Sequence, residues 1–583
     1  MDGGGNLTRT PLKGFVVGAS VLAAGAVALG ANGWGTAAWC RASGDSQFAR
    51  ESRAAMDRMM VSMTSEASGD ADRDFAALMV SHHAGAIEMA EAELRHGRNE
   101  RLRRIAQGIV VEQGQEIAAL RAAVAEAPAG PPVSHRDRVY AAEQFSNTVS
   151  VTDPADEKLL GVIRLGDPHP ANLSPLYRGQ VLVHGLGFSP DHRTLAVVSI
   201  GSNSVTFIDT ATNAVKHTTY VGRSPHEAFY TPDGKEVWVT VRGESHVAVL
   251  DAATFEPKLR IDVPNGPGMQ IFSPDGKYGY VCSSFTPETV VVSVADHRIV
   301  GKVEQASPFC PNIAATPDGE QVWLTLKDVG KVEVFAAKPP FPVLKTFDTG
   351  PLTNHVNFAR TAQGVLAYVT VGGLNRVQVF RTSDFAKVAD IPVGKLPHGL
   401  WPSGDGTRMY VGLENDDQLV AIDTATNQVI ASVPIGQAPQ ALCYVPDAVP
   451  AGAGTNGLQP LGVAGQATHL SLAPPGHPPA AGTQAPTSVA LFDQGLIQVL
   501  QLAVTGLEPK HPYVVALSDA PGGAGKLEPL SAFTTNPAGG AIVDATGPIR
   551  QVVRSDAPAV RRYLVIAPGT VGELGPPVQV QVE

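Results

Sequence analysis

Hydrophobic and polar positions follow three different patterns along this chain, and each pattern predicts a different structure. In residues 45–127 apolar positions return every three or four residues without proline, which predicts a small helical bundle. In residues 138–447 short alternating runs are separated by turns, which is typical of strands. Residues 461–583 carry further runs broken by glycine and proline, which predict a β-sandwich. Linkers are predicted at residues 128–137 and 448–460.

The helical region divides into three predicted helices. The first covers residues 47–65. The second begins after Asp70 and ends at Gly97, because glycine readily adopts the left-handed conformation that ends a helix. The third begins at Asn99, whose side chain can cap the first free backbone N–H groups, and it ends at Glu126.

A repeated turn organises the central region. The turns SPDH, TPDG, SPDG and TPDG follow one another at intervals of 42, 42 and 43 residues. Their prolines are Pro190, Pro232, Pro274 and Pro317. Each turn is followed by alternating strands, and four short strands in about 42 residues is the period of a propeller blade. Seven strands of the type KEVWVTV therefore predict a seven-bladed β-propeller.

The two ends of this region are predicted to complete each other. The first unit, from Arg138, lacks a preceding innermost strand, and the run ALCYV before Pro446 is an innermost strand without a following unit. Pairing them closes the ring and removes exposed sheet edges. The repeat resembles the YVTN family of seven-bladed propellers over residues 138–447. This resemblance implies the fold and leaves the activity open, because propellers include enzymes, binding proteins and scaffolds.

The N-terminus and the overall charge indicate where the protein works. Residues 15–29 are an apolar run preceded by Arg9 and Lys13, as in an export segment. Residues 1–44 are therefore predicted to be a cleaved signal or an uncut membrane anchor, which places the protein in the periplasm or at the cell surface. The net charge of −11 is spread without long runs, which argues against nucleic acid as a partner.

Four cysteines in an exported chain of 583 residues do not make a disulfide framework. Cys40 lies beside the export segment, while Cys282, Cys310 and Cys443 lie far apart in strand-like sequence. One interpretation is a bridge between Cys282 and Cys310. The interpretation that we favour from the sequence is buried thiols that act as small apolar side chains.

Methionine and histidine are concentrated in the helical region. Six of the chain's nine methionines lie there together with three histidines: Met56, Met59, Met60, Met63, Met79, Met89, His82, His83 and His96. Thioether sulfur and imidazole are neutral ligands that favour Cu(I), whereas hard ions such as Mg²⁺ call for carboxylates. The composition therefore favours a copper site, and the alternative is a core that uses methionine as filler.

Helical spacing predicts which side chains face inward. On the second helix the shared stripe is Phe75, Met79, His82, Ala86 and Met89. On the third helix it is Leu102, Ile105, Ile109, Gln113, Glu116 and Leu120. A buried Gln113 and Glu116 need partners, because an unpaired buried polar group costs about 1 to 3 kcal/mol. A metal or facing histidines would supply them, and without a metal His82 is expected to bond to Glu116.

Two sequence runs in this region resemble a bacterial family. DFAALMVSHHAGAIEMAEAEL and RIAQGIVVEQGQEIAAL are similar to a widespread bacterial four-helix domain of unassigned function, over residues 56–120. Some exported members of that family bind copper and take part in copper tolerance. The resemblance implies ligands at Met79, His82, His83, Met89, Gln113 and Glu116, with Met59 and Met63 as further ligands. Only three helices are evident, so the fourth is expected from the export segment, the propeller or a second copy.

The propeller offers a second group of candidate ligands. His184, His226, His355 and His398 each stand five to eight residues before a repeat turn. In a closed ring they are expected near one mouth of the axial channel, where convergent histidines can bind a metal. The alternative is that they form hydrogen bonds between blades, since histidine is common at this place in the YVTN repeats that the sequence resembles.

Three hypotheses for function follow. The first is an exported copper-binding protein in which the helical region captures the ion and the propeller is a platform for an unidentified protein partner. The second is a metal-dependent oxidoreductase or hydrolase with its site in the channel. The third is a surface scaffold without chemistry. The sequence carries no Ser-His-Asp order, phosphate loop, CxxCH haem motif or paired CxxC motif, so binding is favoured over catalysis and no organic cofactor is indicated.

Overall fold

The protein forms two compact units, a helical unit and a larger unit that carries the propeller and the C-terminal sheet. The computed structural model describes residues 46–63, 71–126, 130–166, 181–361, 363–480, 483–494 and 497–582. The predicted export segment, residues 1–44, lies outside the described residues, and so does Cys40.

The helical unit is built from three helices in its described part: α1 (Gln47–Met63), α2 (Ala71–His96) and α3 (Glu100–Glu126). The cap at Asn99 acts as the sequence predicts, whereas Gly97 ends α2 without the left-handed conformation that was expected of it. Asn99 Oδ1 accepts a hydrogen bond from the backbone N–H of Arg101 at 3.0 Å, and the N–H of Gly97 bonds to the carbonyl of Glu93 at 2.7 Å. Among the described helices, none is both long and apolar enough to cross a membrane.

The central region is a seven-bladed β-propeller, as predicted. Each blade is a four-stranded antiparallel sheet. The strands of the first blades are β1 (Arg138–Glu143), β2 (Thr148–Asp153), β3 (Lys158–Arg164), β4 (Val183–Phe188), β5 (Thr194–Ser199), β6 (Ser204–Asp209), β7 (Val215–Tyr220), β8 (Pro225–Tyr230), β9 (Glu236–Val241), β10 (His246–Asp251), β11 (Pro257–Asp262), β12 (Pro267–Phe272), β13 (Tyr278–Ser283), β14 (Glu288–Ser293) and β15 (Arg298–Glu304). The later blades contain β16 (Ile313–Ala315), β17 (Gln321–Leu326), β18 (Lys331–Ala336), β19 (Val343–Asp348), β20 (Thr353–Thr361), β21 (Gly364–Val371), β22 (Arg376–Arg381), β23 (Lys387–Pro392), β24 (Pro397–Pro402), β25 (Arg408–Leu413), β26 (Gln418–Asp423), β27 (Gln428–Pro434) and β28 (Pro439–Val445).

The ring closes by pairing its two ends. Strand β28 is the innermost strand of the blade that contains β1, β2 and β3, and it pairs with β1 in antiparallel register, with Ala141 opposite Leu442. The sequence expectation of closure is therefore confirmed. The last strand of the region therefore completes the first blade and joins the two ends of the ring.

The C-terminal region is an antiparallel sheet folded over its own core, in the manner of the predicted β-sandwich. Its elements are β29 (Ala467–Ala473), β30 (Thr487–Gln494), β31 (Ile497–Val504), β32 (Pro512–Ser518), β33 (Leu527–Thr534), β34 (Ala541–Gly547), α4 (Ile549–Val553), β35 (Tyr563–Thr570), β36 (Glu573–Leu574) and β37 (Gln579–Gln581). The strand order is β33-β32-β35-β37-β29-β30-β31-β34, with β36 beside β35.

Alternation along these strands decides what each face of the sheet contacts. On β30 the side chains of Val489 and Leu491 enter the core of the sheet, while Ala490 and Phe492 pack against the propeller. The ring of Phe492 stacks on Phe145 of the propeller at 4.4 Å between centroids. This sheet therefore uses one face for its own core and the other to cover one end of the propeller.

Polar contacts fix the same interface. Asn415, in the loop after β25, donates a hydrogen bond from Nδ2 to Ser488 Oγ at 3.0 Å. His469 Nε2 lies 3.2 Å from the carboxylate of Asp417. All of these propeller residues lie in loops at one end of the ring, so the sheet covers that end in particular.

Cys282 and Cys310 form a disulfide that joins β13 to the segment before β16. The interpretation of these two cysteines as buried thiols is therefore wrong. The two cysteines are 28 residues apart in consecutive blades, and the packing of one blade on the next brings them together. Cys443 on β28 is a buried free thiol, as expected from the sequence.

Candidate functional site

The helical unit places a buried histidine beside two polar residues of α3. His83 is buried, and its Nε2 lies 3.2 Å from Glu116 Oε2. Gln113 donates a hydrogen bond from Nε2 to the same carboxylate oxygen at 3.0 Å. The Nδ1 atoms of His82 and His83 are 3.5 Å apart. Two imidazoles, one carboxylate and one amide thus lie together, on helices that are adjacent in sequence.

A methionine of α1 lies against the same part of α2. The side chain of Met59 lies over Gly85, where an added Cβ would stand 2.9 Å from the Met59 sulfur. Only glycine allows that close approach without moving the methionine. Gly85 lies three residues beyond His82, so this thioether lies on the face of α2 that carries His82. His83, two residues before Gly85, points to nearly the opposite face of the helix.

The structure corrects the predicted stripe on α2. Phe75 is 58% exposed and His82 is exposed, whereas Ala76, His83 and Ala90 are buried. The inward positions therefore begin one residue later than the spacing of the larger side chains predicts. The buried partner of Glu116 is His83, and the expectation that His82 fills this role is wrong. Adjacent helical residues point about 100° apart, so this difference decides which ring is solvated.

The stripe predicted on α3 is also only partly correct. Leu102 and Ile105 are 51% and 59% exposed, while the small Ala106 is buried. Gln113 is half-buried, but the side chain of Glu116 remains 56% exposed, so the expected burial of this carboxylate is wrong.

The remaining methionines differ in exposure. Met63, Met79 and Met89 are half-buried, as is Met59. Met56 and Met60 are 48% and 55% exposed. His96 is engaged elsewhere, with its Nε2 3.0 Å from Glu51 of α1. The half-buried methionines are thus those that the family resemblance implies as ligands.

The four propeller histidines gather in two pairs. The rings of His184 and His226 are 4.4 Å apart between centroids, and those of His355 and His398 are 4.7 Å apart. All four are buried near the starts of the innermost strands β4, β8, β20 and β24. We call this end of the axial channel the histidine mouth. It is the end that the C-terminal sheet covers.

Burial keeps these histidines neutral. It lowers the pKa of His184 and His355 to about 3 and lowers the pKa of His226 and His398 as well. His398 Nδ1 lies 2.6 Å from the carbonyl oxygen of Gln440. By contrast, His184 Nδ1, His226 Nδ1 and His355 Nε2 are buried without a hydrogen-bond partner among the described residues. Unpaired buried nitrogens of this kind are rare and point to a missing partner.

Charged residues at the histidine mouth were not identified from the sequence. Arg242, Lys327 and Glu414 each stand directly after the second strand of a blade, at equivalent positions following β9, β17 and β25. Arg242 and Lys327 are close enough to His184 to help lower its pKa. Burial raises the pKa of Glu414, and hydrogen bonds from Gln440 and Gln501 oppose that rise. An alignment of the seven repeats by strand position would have marked these three residues.

A cavity of about 150 Å³ lies along the axis behind the histidines. His355 and Glu227 contribute polar groups to its wall, with Leu186 and Met269 among its apolar residues. Burial raises the pKa of Glu227 to about 8. Trp401 also lines the cavity, and its ring packs against Phe188 and Phe229 at 5.9 and 6.4 Å between centroids. All three come late in their innermost strands, so this aromatic group lies at the end of the channel opposite the histidine mouth.

One further ligand-like group lies on the outside of the propeller. His135, Asp153 and Asp156 have ligand atoms within 4.8 Å of one another, and among the described His, Cys, Asp and Glu residues no other trio does so. His135 Nδ1 lies 2.9 Å from Asp153, whose hydrogen bond raises the pKa of the exposed histidine. The four channel histidines therefore form pairs and not a closed set of three ligands.

The helical region matches a known protein family. Residues 32–124 match the family described as a domain of unknown function, DUF305. The resemblance to a bacterial domain of unassigned function is thereby confirmed. No curated protein matches the chain in sequence.

Several solved structures are similar to part of this chain. The periplasmic gluconolactonase PpgL of Pseudomonas aeruginosa is 21% identical, with a TM-score of 0.42, over 53% of this chain and 99% of that one. Hydrazine synthase of Kuenenia stuttgartiensis is 21% identical, with a TM-score of 0.41, over 46% and 90%. A functionally unknown protein from Desulfotomaculum acetoxidans is 15% identical, with a TM-score of 0.45, over 53% and 98%. These values carry no argument about activity.

Proposed function

We propose that the DUF305 domain binds copper as Cu(I), with His83 at the centre of the site. The observation that carries the proposal is the position of this buried imidazole, 3.5 Å from the Nδ1 of His82 and 3.2 Å from Glu116. The Met59 sulfur lies against Gly85, which follows His82 by three residues and shares its face of α2. Imidazole and thioether ligands suit Cu(I), and a carboxylate orients a ligating histidine through its second nitrogen.

The surrounding side chains support a soft ion over a hard one. Met63, Met79 and Met89 are half-buried on the same two helices and can supply further thioethers. Glu116 is the one carboxylate in contact with the pair, among the described residues. Mg²⁺ and Ca²⁺ require several oxygen ligands, so this composition does not suit them.

We further propose that the protein works outside the cytoplasm, with the propeller as a platform for a partner. This proposal rests on the export pattern of residues 1–44 and on the closed ring, whose rim offers several loops per blade. The helical domain would then hold the copper ion, and the propeller would bind the partner protein to which the ion is delivered or from which it is withheld.

A Cu(I) titration of the full chain against a chromogenic chelator tests the copper proposal. We expect His83→Ala and Met59→Leu each to weaken Cu(I) binding by at least about tenfold, as typical for loss of one contact near a metal. Met60→Leu is the matched control, because Met60 is one residue further on α1 and is 55% exposed.

Two outcomes would contradict the proposal. The first is that the parent protein binds no Cu(I). The second is that Met60→Leu weakens Cu(I) binding as much as Met59→Leu does. Circular dichroism of His83→Ala checks that the helices remain, since a buried side chain is removed.

A second candidate function is a metal-dependent reaction in the channel. It is favoured by the unpaired ring nitrogens of His184, His226 and His355, which have the chemistry of metal ligands. The paired arrangement of the rings would have to tighten to give three ligands. Metal content distinguishes the candidates, because His226→Ala would remove a channel metal and leave copper in the DUF305 domain.

A further inference from the structure

The axial cavity of the propeller combines apolar walls with a few polar groups. Its volume is about 150 Å³, and twelve of the sixteen residues that line it are apolar. The other four are Glu227, Asn312, His355 and Asn357. An apolar cavity of about this volume accommodates one benzene ring. The size of the cavity therefore limits a ligand to a single ring or an equally small molecule.

Two of the four polar side chains are occupied by contacts within the wall. Asn312 Oδ1 accepts a hydrogen bond from the backbone N–H of Val356 at 2.9 Å, and Asn312 Nδ2 lies 3.0 Å from the sulfur of Met269. Asn357 donates a hydrogen bond from Nδ2 to the carbonyl of Leu400 at 3.4 Å. These amides hold neighbouring strands together and leave little capacity for a ligand.

Glu227 and His355 keep polar atoms without a partner. Glu227 is 2% exposed, and its Oε2 accepts a hydrogen bond from the backbone N–H of Leu186 at 3.2 Å. Its Oε1 has no hydrogen-bond partner in the described part of the chain. His355 is 6% exposed, and its Nε2 is also unpaired there. Unpaired buried polar groups are costly and rare, so both side chains require a partner in the cavity.

The cavity is also electrically neutral. No lysine or arginine occurs among the described residues that line it. Burial raises the pKa of Glu227 to about 8 and lowers the pKa of His355 to about 3, so at pH 7 the carboxyl is mainly protonated and the imidazole is neutral. A charged ligand would lose its hydration there without meeting an opposite charge, which is costly.

Aromatic side chains surround one end of the cavity. Trp401 and Phe229 line it, and their rings are 6.4 Å apart between centroids. Trp401 and its neighbour Phe188 are half-buried, at the end of the channel opposite the histidine mouth. Since the C-terminal sheet covers the histidine mouth, a ligand can enter from the aromatic end. An aromatic ligand would pack favourably against these rings.

We propose that the axial cavity binds an uncharged aromatic molecule with one ring and one hydroxyl group. Its ring lies against the apolar wall beside Trp401, and its hydroxyl bonds to Glu227 and His355. A hydroxyl both donates and accepts hydrogen bonds, so it can accept from a protonated carboxyl and donate to a neutral imidazole. This site requires no metal, and it is separate from the proposed copper site.

Ligand-observed NMR titration of the full-length protein with phenol at pH 7 tests this inference. We expect saturable binding of phenol, and about tenfold weaker binding of toluene, which has the same ring but cannot form the hydrogen bonds. Benzoate is an anion with one ring, and N-methylpyridinium is a cation with one ring. Both should bind at least about tenfold more weakly than phenol, because their charges would be buried without a partner.

Two variants locate the site. Glu227→Leu should lower the affinity for phenol to that for toluene and leave toluene binding at least as tight. Ile271→Trp should abolish binding of both compounds, because Ile271 is half-buried on the cavity wall and a larger ring there fills the space. Ile299→Trp is the matched control, because Ile299 lies on the outermost strand β15 of the same blade and is 38% exposed.

Several results would overturn the inference. Toluene that binds as tightly as phenol would show that the polar groups do not recognise the ligand, and tighter binding of benzoate or N-methylpyridinium would show a site for a charged molecule. Absence of saturable phenol binding in a protein with a native circular dichroism spectrum would also refute it. Unchanged phenol binding by Ile271→Trp would place the ligand outside the cavity.

The test is independent of the copper proposal. Because His83→Ala changes only the helical unit, this variant should bind phenol as tightly as the parent protein does. Failure of the copper site would therefore leave phenol binding unchanged, and failure of phenol binding would leave Cu(I) binding unchanged.

Discussion

The DUF305 domain and the propeller place histidine in opposite environments. In the helical unit His82 is exposed, and the buried His83 meets a carboxylate that remains 56% exposed. In the propeller four histidines are buried among innermost strands, and burial lowers their pKa. The first environment suits a ligand that exchanges partners with solvent. The second environment suits histidines that stay neutral and keep fixed positions along the channel.

The packing around each group explains the difference. Along α1 the one buried residue is Ala55, so this helix has few contacts that fix its position. In the propeller, Thr240 and Thr370 on second strands each bond to the backbone of the next blade at this mouth, to Gly268 and His398. A site on loosely packed helices can close around an ion, whereas a closed ring holds its side chains at set distances.

The largest expected effect is a loss of propeller stability in acid, which tests whether the channel histidines are buried as this comparison requires. Burial lowers the pKa of His184 and His355 to about 3, from 6.5 for an unperturbed histidine. As the pH falls below 6.5 the unfolded chain binds protons first, so stability is fully present above that pH and is lost between 6.5 and 3. Each such histidine contributes about 1.4 kcal/mol per pH unit in that window.

Urea unfolding followed by tryptophan fluorescence measures this loss, because Trp238, Trp323 and Trp401 lie in the propeller. His184→Gln removes one titrating group and is expected to reduce the slope by about 1.4 kcal/mol per pH unit. His477→Gln, at an exposed loop position, is the matched control and should leave the slope unchanged. A flat pH profile would show that the channel histidines are solvated.

A second prediction concerns the roof of the channel. Phe492→Ala removes a fully buried ring that stacks on Phe145, which is expected to destabilise the larger unit by about 3 kcal/mol. Cu(I) binding by the DUF305 domain should not change. Val571→Ala, at a position 58% exposed, is expected to have almost no effect on stability. Equal effects of the two substitutions in urea unfolding would show that the sheet does not pack on the propeller in this way.

The propeller could be predicted almost completely because its signals are local. A turn every 42 or 43 residues and alternation along each strand are visible in the sequence, and the leftover strand at residues 441–445 implies closure. The contact between the C-terminal sheet and the propeller could not be predicted. It depends on side chains such as Phe492 and Gln501, which stand at the positions of an alternating strand that face away from the core of the sheet. The alternation alone predicts that such positions are exposed.

The candidate sites show the same limit. The sequence identified His82 and His83 as a pair, but the choice of the buried one depends on small residues such as Ala76 and Ala90, which carry a weak hydrophobic signal. Arg242 and Lys327 come from different blades. Their position at the same mouth of the channel arises only when the blades assemble, and neither belongs to a motif with a known spacing.

The smallest expected effect concerns Gly85, which as a glycine lowers the stability of α2 but leaves room for the Met59 side chain. Gly108→Ala on α3 is expected to stabilise the helical unit by up to about 1 kcal/mol, because alanine is the better helix former and an added Cβ there meets nothing within 4 Å. Gly85→Ala gains the same propensity, but its Cβ would stand 2.9 Å from the Met59 sulfur and displace it. We therefore expect little net change in thermal stability and about tenfold weaker Cu(I) binding, in the range typical for disturbing a metal ligand. Parent-like Cu(I) binding by Gly85→Ala would remove Met59 from the ligand set and leave the histidine pair to hold the ion with the methionines of α2.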